Sequence, residues 1–244
     1  MITFIIENSY NGILSAIFYS YSNKIKPQNI VTETHQIGFF EKFITIQTNI
    51  ENANRVDDKI HNILSPLNYK HLLNAIKSNN ENKHFIIFKY IVKILDSKKD
   101  VSNNFSDEDI FLYNRLVSPI FLEVHRFLGF IRFQKTADGI YYSAFNPDND
   151  IAELILPHFI KRYKSMPFIL HDIKHDIIIG YNNGKYKVVK EKIPIMKANG
   201  DEVSKLFKKY YQAIYIPERK NLKQMLNYMP KRYHKFMPEK NELL

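Results

Sequence analysis

The chain has 244 residues, 45% of them hydrophobic, with 18 Phe and 16 Tyr; this is enough apolar mass for a sizeable core and excludes a disordered chain. Cys is absent, which excludes disulfides, thiolate zinc sites and a cysteine nucleophile. A formal charge of +10 points to polyanionic partners, although the chain's heavy use of Lys, Asn and Ile inflates that number. Only seven basic residues are Arg: Arg55, Arg115, Arg126, Arg132, Arg162, Arg219 and Arg232. A planar guanidinium is not replaced by an ammonium where a carboxylate or phosphate must be gripped, so these positions carry more information than the lysines. No apolar run approaches the roughly 18 residues of a membrane span. The opening MITFIIENSYNG lacks the basic region and long apolar stretch of a signal peptide. The expectation is a cytoplasmic chain with no membrane partner.

In chain order, residues 3–6 predict a short strand, and Ser9 caps a helix with Ile13, Leu14, Ile17, Phe18 and Tyr21 at helical spacing. Pro27 closes that unit. FITIQT at residues 43–48 alternates and predicts a strand. Residues 53–64 predict a helix, and Ser65-Pro66 opens another to about Lys77. SNNENK at residues 78–83 is a polar loop and the expected subregion boundary. Residues 84–95 predict an apolar helix. Ser106 with three following acids starts the next, whose stripe is Ile110, Tyr113 and Val117. Ser118-Pro119 then predicts a fresh helix, stopped by a left-handed Gly129, with a strand over residues 130–133. Asp138-Gly139 predicts a hairpin turn before a strand to Phe145. Asn146-Pro147-Asp148 caps a helix kinked at Pro157. Strands are expected at 168–172, 176–181 and 185–189, with Asn182-Asn183-Gly184 as the last turn. A helix over 203–214 and a basic, proline-broken tail complete the chain. The fold class expected is α+β: a mostly antiparallel sheet flanked by helices, a helix-rich middle and a basic C-terminal tail. Residues 1–244 read as one domain, with 1–80 as an N-terminal α/β subregion.

Candidate site residues gather around SPIFLEVHRFLGFIRF, residues 118–133. Glu123 and Arg126 lie three apart on one helix face and can pair or serve a ligand. His125, Arg126 and Arg132 converge near one helix end, and the two arginines are expected to line one anionic pocket. Asp148, as a cap that also orients a basic residue, and His158, beside the Pro157 kink, are placed near that pocket. In the tail, Arg219, Lys220 and Asn221 after Pro217, and Lys231, Arg232 and Tyr233 after Pro230, repeat a proline-then-basic pattern suited to successive phosphates. Tyr228 or Tyr233 would stack on a base. HDIKHD at residues 171–176 admits a metal reading, but a hairpin turn explains those polar residues as well, and no metal is assigned. No phosphate loop, nucleophile elbow or zinc-protease motif is present, so no catalytic residue and no cofactor is assigned, and whether the chain is an enzyme stays open.

EVHRFLGFIRF, NPDNDIAELILPHF, FILHD and IPERKNLKQMLNYMPKRYHKFMPE, together with the N-terminal ENSYNGILSAIFYSY, resemble an uncharacterised bacterial family of DNA-metabolism proteins. That resemblance makes residues 84–240 the family core. It implies a neighbouring radical SAM protein as partner and a relation to uracil-DNA glycosylase superfamily domains. His234 stands where the family has an aromatic. Three functions remain: a nucleic-acid-binding accessory protein in DNA repair or modification acting with the radical SAM partner, an enzyme acting on DNA bases or nucleotides, and a protein–protein adapter.

Overall fold

The structure is a computed structural model that describes residues 2–32, 42–136, 139–195, 233 and 236. The expected helix over 203–214 and the tail residues Arg219, Lys220, Asn221, Tyr228, Lys231 and Arg232 lie outside these. The chain divides into two compact units, residues 1–120 and 121–244. Residues 78–83, the expected subregion boundary, lie inside the first. The described residues fold as α+β.

In the first unit, β1 (Ile2–Ile6) lies between β2 (Asn29–Thr32) and β3 (Lys42–Thr45), and both pairings are parallel. A parallel strand buried on both faces reads as a continuous apolar run, which is what TFII is: Thr3 and Phe4 are wholly buried and Ile6 nearly so. Crossover from β1 to β2 runs through α1 (Tyr10–Asn23), capped as expected by Ser9, whose Oγ accepts from Gly12 N at 3.0 Å. Three helices follow: α2 (Ile50–Ile63), capped by Asn49, α3 (Pro66–Ala75), capped by Ser65 with Pro66 in its first turn, and α4 (Lys83–Ser97). β2 was not anticipated, because NIVT is only four residues long and carries no alternation.

The next helix corrects the sequence reading. α5 runs unbroken over Glu108–Phe130 with Pro119 inside it. Its N-terminal amides are met by Asp107 and not Ser106: Asp107 Oδ1 accepts from Asp109 N at 3.0 Å and Ile110 N at 3.3 Å. Ser118 starts nothing; its hydroxyl donates back to Asn114 O at 2.8 Å. Gly129 is helical rather than left-handed, and Ile131 N continues the helical pattern to Phe127 O at 3.1 Å, so the strand expected over 130–133 does not form. The apolar stripe outweighs one missing N–H: Ile110, Tyr113, Val117 and Ile120 are all buried, and the Tyr113 ring stacks on Tyr90.

In the second unit, β4 (Gln134–Lys135), β5 (Tyr141–Phe145), β6 (Phe168–Asp172), β7 (Ile177–Asn182) and β8 (Lys185–Lys190) form one sheet in that order. Three of its four pairings are antiparallel; the exception is β5 with β6, which run parallel and are joined through α6 (Ala152–Tyr163). The mostly antiparallel expectation therefore describes this sheet and not the wholly parallel sheet of the first unit. Asn183 and Gly184 both have positive φ, 44° and 81°, as a two-residue primed hairpin turn requires. Phe133, Phe159 and Phe168 meet edge to face inside this unit, and Phe145, Leu170 and Ile179 are fully buried with them.

Two outcomes are expected. A Cβ at Gly12 would stand 2.5 Å from the Glu7 carbonyl oxygen, so Gly12→Ala should lower stability in urea unfolding by about 1–3 kcal/mol. His84 is buried against Asn8, Nε2 to Oδ1 2.8 Å, and burial, helped by the Lys83 charge, pushes its pKa down from 6.5 to about 4. As pH falls the unfolded chain takes up this proton first, so the contribution is full above about 6.5 and is lost as pH drops toward 4. His84→Gln should flatten the stability–pH curve in that window, read as the urea midpoint at pH 4.5 and 7.

Candidate functional site

In the second unit the chain brings together a loop, a turn and a buried carboxylate at the C-terminal end of the parallel pair β5/β6. Glu123, on α5, is 4% exposed. Its Oε1 accepts from Asp148 N at 2.7 Å and from the Tyr233 hydroxyl at 3.0 Å; its Oε2 accepts from Asn149 N at 2.8 Å and Asn149 Nδ2 at 2.7 Å. Four neutral donors thus hold a buried carboxylate, which answers the cost of removing it from water with no cation paired to it among the described residues. Glu123 therefore does not pair with Arg126, and it faces inward rather than toward a ligand. Tyr233 is 3% exposed, with its ring edge-on to Phe127 at 4.9 Å and tilted against Phe130 at 5.7 Å. It is buried and cannot stack on a base.

The loop 146–150 also holds the neighbouring turn. Asp148 Oδ1 lies 3.3 Å from Lys174 Nζ, so Asp148 does orient a basic residue, although it does not cap α6: the cap residue there is Ile151, with no side-chain bond. Ile173 N donates to Phe145 O at 3.0 Å, fixing the β6–β7 turn against the end of β5. Inside that turn Asp172 is fully buried. Its Oδ1 accepts from the amides of Lys174 (3.1 Å) and His175 (3.2 Å), and its Oδ2 meets His175 Nδ1 at 2.7 Å. The His175 side chain is 22% exposed, so a carboxylate-oriented imidazole and the Lys174 ammonium stand together at the surface. Behind them His171 Nδ1 and the Tyr142 hydroxyl meet at 2.7 Å, both buried; burial lowers the His171 pKa against the pull of Asp172 and Asp176. The turn reading of HDIKHD thus fits the geometry. Among the described residues no group of three or more His, Asp or Glu is placed to hold a metal ion.

The other expected site residues lie outside the Glu123 bonding cluster. His125 is exposed on α5 and Arg126 is half-buried, with no ion pair among the described residues. Arg132 folds back on the helix end, its Nη1 donating to Gly129 O at 2.6 Å and Ile131 O at 3.2 Å, the role of a basic C-terminal cap. His158 is exposed on α6, its ring edge-on to Phe159 at 5.1 Å. Of the expected set, the structure joins Glu123, Asp148 and Tyr233. The sequence reading missed Asn149, whose side chain and amide both serve Glu123, and the Asp172–His175 pair. The i,i+3 spacing across a turn was the signal for the latter.

One further surface was not foreseen. β8 is one of the two edge strands of this sheet among the described residues, with Lys185, Lys187 and Lys190 exposed on it and Tyr186 58% exposed. Tyr186 borders a shallow cavity of about 300 Å³ against α6, lined by Glu153, Leu156, Pro157, Ile160 and Lys161.

Residues 81–239 match the family of a domain of unknown function, DUF4130. The chain belongs to that family. No curated protein matches the chain. The DUF4130 segment runs from α4 onward and contains every residue of the Glu123 cluster, the Asp172–His175 turn and the β8 face. EVHRFLGFIRF, NPDND and Tyr233, all from stretches that carry the resemblance, are thereby bonded to one another through the Glu123 carboxylate. No helix among the described residues is long and apolar enough to cross a membrane.

Glu123→Gln would turn an amide toward N–H donors in a dry site and should cost at least about 1–3 kcal/mol. Tyr233→Phe removes one bond to a charged acceptor, about 1.5–3 kcal/mol. In a double-mutant cycle by urea unfolding the two losses should fall short of additivity, because they share one interaction.

Proposed function

We propose that this DUF4130 chain is a nucleic-acid-binding accessory protein of DNA metabolism, working in the cytoplasm beside a radical SAM partner. The observation that carries the binding half is the β8 edge: an exposed aromatic ring, Tyr186, bordering a shallow apolar cavity that Lys161 also lines, with Lys190 on the same strand face and Lys185 and Lys187 exposed on the opposite one. Bases stack on an exposed ring whatever their identity, and ammonium groups spaced along the same edge attract the backbone, which suits a sequence-tolerant single-strand surface. The formal charge of +10 agrees with it. Lys174 and His175 add two donors at the other end of β7. The tail residues Arg219, Lys220, Asn221, Lys231 and Arg232, and the α5 residues His125 and Arg126, are further candidates for phosphate binding under this reading. Support for the partner and for the DNA-metabolism role comes from the resemblance of EVHRFLGFIRF, NPDND, FILHD and the tail.

Lysines on an edge strand also block pairing with a second sheet, and mutation separates the two roles. Lys185→Glu with Lys187→Glu should lower single-strand DNA affinity and reduce the salt slope by about 0.7 for each phosphate no longer neutralised, with the melting temperature unchanged. Tyr186→Ala should cost about 1–3 kcal/mol of binding in fluorescence anisotropy. Wild-type affinity in the charge-reversed variant, with new aggregation, would assign the lysines to edge protection. Co-purification with the neighbouring radical SAM protein tests the partner.

A further inference from the structure

The first unit holds a second cavity, of about 420 Å³, between the C-terminal end of α1 and the outer side of α4. That volume is in the range of small-molecule sites. Its floor is Phe85, Phe88, Val92 and Pro27, with the two phenylalanine rings near parallel, 20° apart and 6.5 Å between centroids. Two of the four lysines around it are committed: Lys89 pairs with Asp109, and Lys93 with Asp107 at 2.8 Å. Lys24 and Lys26 are exposed on the rim with no acidic partner among the described residues. Lys24 is held there by a left-handed backbone, φ 55°, its N–H bonded to Ser20 O at the end of α1. Asp96, which also lines the cavity, accepts from the Tyr21 hydroxyl through Oδ1 at 2.6 Å and keeps Oδ2 as a second acceptor oxygen.

An apolar aromatic floor, an unneutralised cationic pair and one oriented carboxylate acceptor describe a ligand with three parts. It has a flat ring for the floor, a phosphate for Lys24 and Lys26, and an N–H donor for Asp96. We infer that this cavity binds a nucleoside monophosphate whose base carries an exocyclic amino group. The phosphate gains a charge-assisted bond to each lysine, and the amino group gains one to Asp96; a base with a carbonyl at that position sets oxygen against oxygen. The site lies in a different unit from the β8 face and stands independently of the nucleic-acid reading.

The test is calorimetric titration of the full chain with adenosine 5′-monophosphate, inosine 5′-monophosphate and adenosine. Adenosine 5′-monophosphate should bind at least tenfold tighter than either of the others. Lys24→Ala with Lys26→Ala, both exposed and harmless to folding, should weaken it tenfold or more and leave adenosine unchanged. Asp96→Ala should bring the two monophosphates to equal affinity. Val92→Trp should fill the cavity and abolish binding, provided circular dichroism shows the fold retained. Lys185→Glu with Lys187→Glu should leave all three affinities as in the wild type, so a failure of the β8 proposal is read separately. No heat from adenosine 5′-monophosphate at millimolar concentration, or an affinity that neither the lysine pair nor Asp96 alters, overturns the inference.

Discussion

The second unit depends on one buried carboxylate. Glu123 sits in a buried site with no cation paired to it among the described residues, and four donors reach it from two distant stretches of chain. An ionised carboxylate stripped of water costs several kcal/mol, and each hydrogen bond to it returns only about 1.5–3. The geometry of the loop 146–150 follows from this demand. Pro147 has no N–H to offer and sits just before the two amides that do, and Asn149 adds its side chain to the same oxygen. Through that loop Glu123 also sets the position of Asp148, and through Asp148 the position of Lys174 beside His175.

Charge in this chain is therefore used in two distinct ways. Two acidic groups, Glu123 and Asp172, are drawn inward and held by several hydrogen-bond partners each. Lysines are left on edges and rims, where they are free to meet anions: β8 in one unit, the end of α1 in the other. The excess of basic residues looks compositional when counted, yet its distribution is not uniform. Exposed lysines with no acidic partner among the described residues line up beside Tyr186 on β8 and on the rim of the α1–α4 cavity.

Local signals in the sequence were legible where the chemistry was local. Ser9, Ser65-Pro66 and Asn183-Gly184 each answer a need of their own backbone within three residues, and the structure has them as read. FILHD was delimited correctly because turn residues bound it. What failed was the reading of Pro119 and Gly129 as punctuation: their local preferences were real, but the buried stripe from Ile110 to Ile120 and on to Phe127 outweighed them. The parallel pairing of β5 and β6 was hidden because register between strands 22 residues apart is a tertiary matter. The site showed the same division. Glu123, Asp148 and Tyr233 were named for the surface and proved to be bonded together inside, since nothing in the spacing of residues 123, 148 and 233 reveals that they touch. Asp172 and His175 were noticed as a turn but not as an oriented pair.

The parallel pair in an otherwise antiparallel sheet has a consequence for the order of assembly. β7 and β8 close through a two-residue turn and form on the microsecond scale of hairpins, and β6 adds to them through another short turn. β5 cannot follow by the same route, because it reaches β6 only over the length of α6 and must wait for that helix to dock. Until it does, the inner edge of β6, with the apolar Phe168, Ile169 and Leu170 along it, has no neighbour. The β5–β6 seam is thus the one pairing of this sheet that no short turn can close, and α6 is the element that both links and covers it.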